Sequence, residues 1–181
     1  LLNPTGFLVD CFHDYEAEAD MVVLGKRGEA AEFASDHLGA NIDRIVRSSS
    51  KPCLVTPQTF SPIERLLFAY DGSPTGQRVL SFLIDNAEGL KDIEIPLLTV
   101  VKSEGDDKRS QAFTQAQDQL QQAGLNLTAS SLTGDPEKAI GHYIEQNKIS
   151  LLLMGAYGHR RIRHLVIGST TVQLLRSSKI P

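Results

Sequence analysis

Several short segments of this chain are apolar almost without interruption and then stop on a glycine or an Asp-Gly pair. "IERLLFAYDGS" starts at residue 63, "IEIPLLTVV" at 93 and "SLLLMGAYG" at 150. A strand with one wet face alternates, whereas a strand that is apolar position after position is covered on both faces. Helical stretches separate these runs. Ser73 before Pro74 reads as the start of one helix, with Gly89 where it should end. "KRSQAFTQAQDQLQQAG", from 108, sets Phe113, Ala116, Leu120 and Ala123 on one face and stops at Gly124. "LNLTASSL" alternates as a strand, Asp135-Pro136 opens another helix, and "STTVQLLRSS" is the last one. Strand-helix alternation with right-handed crossovers gives an α/β, doubly wound, mostly parallel sheet flanked by helices. Ligands of such sheets gather at the carboxyl ends of the strands, where strand order reverses, which puts Asp71, Val100 and Gly155 along one rim.

The chain also repeats itself. "ADMVVLGKRG", from Ala19, matches "ISLLLMGAYG", from Ile149, so that Gly25 and Gly28 fall on Gly155 and Gly158 at an offset of 130. Past the following loop the offset becomes 129: Gly39 falls on Gly168, Arg47-Ser48-Ser49 on Arg176-Ser177-Ser178, and Pro52 on Pro181. We therefore expect residues 1–58 to be the C-terminal part of a first repeat lacking its N-terminal half. A linker at 59–62 follows, and 63–181 is a second repeat without its final strand. Both ends of the sequence read as cuts.

Composition narrows the function. The net charge of −4 on 181 residues argues against broad attraction to nucleic acid or an anionic membrane, so any anion site must be local. The apolar runs fall far short of the ~18 residues of a membrane span. Cys11 and Cys53 have no metal-like spacing and read as small hydrophobes of a reducing compartment. His142 reads as a helix-face residue. Local positive charge is found where the strand at 150 ends: His159, Arg160, Arg161, Arg163 and His164, with no acid among residues 159–167.

That basic loop lies within Gly155-x2-Gly158-x9-Gly168-Ser169-Thr170. The last three residues open a helix, whose free amides and positive dipole end suit a phosphate. The glycine pair alone could equally serve a tight turn, with the arginines solubilising a loop. Asp71, in Asp-Gly-Ser-Pro, could simply stabilise a turn. His159 and His164 could contact phosphate or face water.

The complete motif, with the strand ending at "FAYDGS" and the "GDP" turn at Gly134, resembles the universal stress protein family, in its tandem form. The resemblance implies a Rossmann-like, five-stranded doubly wound sheet in tandem repeat, and a site for ATP or a related adenine nucleotide in the second repeat. Ala69 and Asp71 would stand on the ribose or adenine side, Val100 would offer backbone to adenine, and Met154 would form an apolar floor. Gly155, Gly158, His159, Arg160, Gly168, Ser169 and Thr170 would surround ribose and phosphates. Mg²⁺ could ride on the phosphates without a dedicated ligand set. The implied protein is a cytoplasmic stress-response switch, paired domain to domain and able to form a homodimer. Catalysis would be slow ATP hydrolysis at most, since Asp71 is the motif's one carboxylate and no Walker-type Gly-Lys-Ser/Thr is present.

The first repeat departs from the motif. Ten residues separate Gly28 from Gly39, Glu29, Glu32 and Asp36 replace the arginines, and Ala40-Asn41 replaces Ser-Thr. It is expected to be a degenerate, structural copy, with its strand "CLVTP" serving assembly. The competing reading is an interaction module of the same fold that dimerises without nucleotide.

Overall fold

The computed structural model describes residues 5, 8–26, 40–101, 107–156 and 169–181. They fall into two compact units, Leu1–Phe60 with Pro181, and Ser61–Ile180. The first contains α1 (Leu8–Glu16), β1 (Val22–Gly25), α2 (Ala40–Ser48) and β2 (Cys53–Thr56). Its two strands run parallel, Val22 paired with Cys53 and Gly25 with Thr56. Ile42, Ile45 and Val55 are buried, and Cys11 and Cys53 are partly buried free thiols.

The second unit runs β3 (Leu66–Ala69), α3 (Pro74–Asp85), α4 (Ala87–Leu90), β4 (Glu94–Val101), α5 (Asp107–Gln122), β5 (Asn126–Thr133), α6 (Pro136–Gln146), β6 (Leu151–Met154) and α7 (Ser169–Ser177). Its strands are parallel in the order β5-β4-β3-β6. The chain winds outward from β3 to β4 and β5, then crosses back to β6 on the other side of β3. Strand order therefore reverses between β3 and β6.

The apolar runs of β3 and β4 are buried on both faces, as their pattern requires, whereas β6 is only partly buried along its length. Leu66, Phe68, Ile95 and Leu97 pack with Leu80 and Leu83 of α3 and Ala116 and Leu120 of α5. Leu67, Leu98 and Val100, on the other face of the same strands, pack with Ile140 of α6 and Leu174 of α7. One helix pair lies on each face, which makes the unit doubly wound. β5, at the sheet's edge, alternates in exposure except at Thr128–Ala129, which are both exposed.

The helix starts follow the sequence. The Ser73 side chain accepts from the Gly76 amide and that of Asp135 from the Lys138 amide, each just ahead of a proline. Three expectations need correcting. Gly89 does not end α3 but lies within the short α4; α3 stops at Asn86, whose amide and side-chain Nδ2 both donate to the Phe82 carbonyl. A side-chain amide has taken the capping work expected of glycine. β4 runs to Val101, one residue past Val100, because β5 pairs with it along its full length. Among the described residues the second unit's sheet has four strands rather than five.

Candidate functional site

β3 and β6 are in register with Ala69 opposite Met154, and β3 and β4 with Ala69 opposite Leu98. Continuing both registers past the strand ends brings Tyr70 level with Gly155, and Asp71 level with Val100. The rim expected from sequence is thus a continuous one. Met154 and Ala69 are partly buried against the cluster containing Val100, and Asp71 is exposed.

The turn after β3 shows why the sequence reads Asp-Gly-Ser-Pro-Thr-Gly. The Tyr70 amide still donates to the Leu98 carbonyl at 2.8 Å, the last step of the β3–β4 ladder. Gly72 then takes φ +75°, a left-handed conformation that side chains disfavour. Asp71 Oδ1 accepts from the Ser73 amide at 2.9 Å, and Ser73 Oγ from the Gly76 amide at 3.1 Å. The turn role available to Asp71 is therefore filled by one carboxylate oxygen. Buried beneath it, Tyr70 Oη accepts from Gln77 Nε2. Burial raises the Tyr70 pKa, the Gln77 bond opposes the shift, and the Asp71 charge adds to it.

Gly155 has a steric reason to be glycine. A Cβ there would lie 2.7 Å from the Gly76 nitrogen and 2.7 Å from Thr75 Oγ1. Its φ is not positive. The exit of β6 thus presses on the first turn of α3, and Gly76 answers it: a Cβ on Gly76 would lie 3.1 Å from Asp71 Oδ1 and 3.3 Å from the Tyr70 ring. Sequence reasoning passed over Gly76, although a glycine in a helix's first turn, at a cost of about 1 kcal/mol against alanine, signals close approach.

Arg109 was also missed. It projects from the first turn of α5 and its Nη1 donates to the Val100 carbonyl at 2.7 Å. A contact between a helix and the strand before it leaves no periodic mark in the sequence. Gly158, His159, Arg160 and Gly168 lie outside the described residues, as do Gly28 and Gly39 of the first unit. Ser169 begins α7 as expected, and Thr170, in its first turn, is partly buried. Among the described residues no group of three or more His, Cys, Asp and Glu is arranged to hold a metal ion, and no helix is long and apolar enough to cross a membrane.

A doubly wound sheet with its switch point framed by Asp71, Val100 and Gly155 defines an α/β protein of the Rossmann-like class. The model of the universal stress protein family matches residues 62–181. A curated relative, universal stress protein Slr1230 of Synechocystis sp., is 50% identical over 181 residues, all of this chain and 63% of the relative. The chain belongs to the universal stress protein family. Among solved structures, a universal stress protein from Archaeoglobus fulgidus superposes with a TM-score of 0.76 at 20% identity, covering 99% of this chain and 66% of that one. A universal stress protein in complex with cAMP covers 66% of this chain and 94% of its own, at a TM-score of 0.52 and 18% identity. At these identities the likeness is one of fold.

Proposed function

We propose that the unit Ser61–Ile180 binds ATP or a related adenine nucleotide at the β3–β6 switch point and acts as a cytoplasmic stress-response switch. The observation that carries this reading is where the motif Gly155-x2-Gly158-x9-Gly168-Ser169 sits: it starts at the carboxyl end of β6 and finishes at the amino end of α7. A nine-residue helix opening at Ser169 supplies free amides and a dipole suited to phosphate, and the basic residues between are the right charge for it. Val100 and Asp71 stand level further along the same rim, where base and ribose would lie, next to Ala69 and Met154. One relative's structure in complex with cAMP supports an adenine ligand for the family's fold. Mg²⁺ would then be held by the phosphates more than by the protein. Turnover is expected to be slow, because Asp71, a carboxylate on the rim, already spends an oxygen on its own turn.

The first unit reads as the closing part of a degenerate first repeat, paired with the second and able to take part in a homodimer. At the offset of 129, α2 coincides with α7 end for end. Ser48 Oγ donates to the Arg44 carbonyl as Ser177 Oγ does to Gln173. Ser49 Oγ donates to the Lys51 carbonyl as Ser178 Oγ does to Ile180. The superposition of 99% of the chain on one solved universal stress protein is consistent with this.

The test is mass spectrometry of small molecules released from purified protein, with calorimetric titration of ATP. Gly158→Val and Ser169→Tyr should abolish binding while the melting transition survives. Full occupancy in both variants would refute the site. No bound nucleotide and no thermal shift with millimolar ATP would favour the interaction module, a reading that finds support in Arg109 already occupying the Val100 carbonyl.

A further inference from the structure

β5 closes one side of the sheet, paired with β4 from Asn126 to Thr133. Every second residue of a strand turns its N–H and C=O to the same edge, so about half of the backbone polar groups of β5 face away from β4. Among the described residues no strand meets them. Proteins guard such an edge with lysine, proline, a bulge or a short strand. β5 has none of these. It is eight residues long, keeps unbroken register with β4, and reads Asn-Leu-Thr-Ala-Ser-Ser-Leu-Thr, without a charge or a proline. Asn126, Thr128, Ala129, Ser131 and Thr133 are exposed.

The lack of charge extends beyond the strand. Residues 110–134 hold a single charged side chain, Asp118, where the chain's average of 22% would place about five. They make up β5 and most of α5, which packs beside it. Gln111, Gln115 and Gln119 are exposed on α5. One flank of the unit is therefore polar yet almost neutral, and charge depletion marks the centre of protein interfaces. A partner of different sequence can be met with complementary charge, which adds rate and selectivity. Two copies related by a twofold axis instead set each residue near the axis against its own kind, so a charge there repels. In a chain of net charge −4, an uncharged flank is the side on which two copies can approach.

We propose that β5 is a self-association edge: two copies pair β5 to β5, antiparallel across a twofold axis, with the glutamine face of α5 beside the seam. The sheets of two Ser61–Ile180 units then join into one that runs through both copies, held by backbone hydrogen bonds and by Thr and Ser contacts across the strands. This pairing does not depend on the nucleotide reading.

The experiment is sedimentation velocity of the wild-type chain over a dilution series without nucleotide, with amide exchange in β5 followed at the same concentrations. A two-copy species should form as concentration rises, and exchange in β5 should slow as it does. Thr128→Lys combined with Ser131→Lys lines the seam with like charges and should raise the dissociation constant at least about tenfold. Both positions are exposed, so the melting transition of the single chain should survive; Ser131→Lys alone stands in if the double variant does not fold. Thr128→Glu with Ser131→Glu should dissociate the pair likewise, and mixing the acidic and basic variants should restore it, which a merely weakened fold would not do. A wild type that stays a single copy at high micromolar concentration overturns the proposal. So does a dimer that survives both lysines unchanged, since it would use another surface. A mass that keeps growing past two copies overturns the twofold closure.

Discussion

The two strand exits, after β1 and after β6, share a Gly-x2-Gly pair and differ in the residues around it. Gly25-Lys26 stands where Gly155-Ala156 does, and α2 opens on Ala40-Asn41 where α7 opens on Ser169-Thr170. The closing turns agree bond for bond: the Ser49 amide donates to the Ile45 carbonyl at 2.8 Å, and the Ser178 amide to that of Leu174 at 2.9 Å. Ile45 and Leu174 are both almost wholly buried, at 1% and 2% exposure. Scaffold and exit residues thus separate: what holds helix and turn together is alike in both places, while the residues leaving the strand and opening the helix differ.

The largest test of that separation is Gly155→Ala. A methyl group there would strike the backbone nitrogen of Gly76, which cannot turn aside as a side-chain end could. We expect a loss at the upper end of roughly 1–3 kcal/mol, the usual range for overpacking, read as a lowered melting midpoint and faster amide exchange in α3. The effect should appear with no nucleotide present, because the conflict lies inside the protein. If the variant were as stable as the wild type, Gly155 would be a ligand-facing residue only.

A smaller effect is expected from the first unit's own addition. The Glu16 carboxylate, with its side chain 10% exposed, accepts from Ser49 Oγ at 2.6 Å, from the Ser50 amide at 2.6 Å and from the Lys51 amide at 3.3 Å. At the offset of 130 the second unit has Gln146, which is exposed. The Ser49 bond is the main cause that holds the Glu16 pKa below its ordinary 4.5. A carboxyl depressed in this way adds stability above the unfolded value and loses it as pH falls through the folded one. Glu16→Gln should therefore cost the first unit roughly 0.5–1.5 kcal/mol at neutral pH and flatten its acid unfolding below about pH 4.5. Gln146→Glu should do neither to the second unit.

Most of the scaffold was legible because its signals are local. Ser73 and Asp135 sit beside the prolines whose helices they start, and the apolar runs of β3 and β4 are strands covered on both sides. Gly89 misled because a glycine was taken for the helix end, when Asn86 three residues earlier carried an amide able to do that work. The site was legible at the level of its rim: Asp71, Val100 and Gly155 follow from strand ends. The Arg109–Val100 and Gly155–Gly76 contacts were not, because each joins residues on separate elements with no sequence period between them. Gly155 drew attention for a ligand's sake, and the physical demand on it turned out to come from α3.

The smallest effect concerns the residue that most separates the two exits. Lys26 follows Gly25 at the end of β1, its amide donating to the Thr56 carbonyl at 2.8 Å, and burial of its side chain lowers its pKa from the usual 10.5 to about 8. Its counterpart, Ala156, has no charge to bury. Between pH 8 and 10.5 the folded chain has released this proton while the unfolded chain still holds it, so stability should rise with pH across that window. Below pH 8 the lysine is charged in both states and burial counts against folding. Because the group remains substantially exposed, solvent screening keeps the gain small. Lys26→Met should remove the rise and leave the first unit more stable at pH 7, as read from amide exchange in β1 and β2. A second readout separates this from a general surface effect. At pH 8, where ordinary lysines are almost fully protonated, acetylation by a limiting reagent should label Lys26 ahead of Lys91, Lys138 and Lys179. Uniform labelling would place Lys26 among ordinary surface amines, and the contrast between the two strand exits would then rest on their helix openings alone.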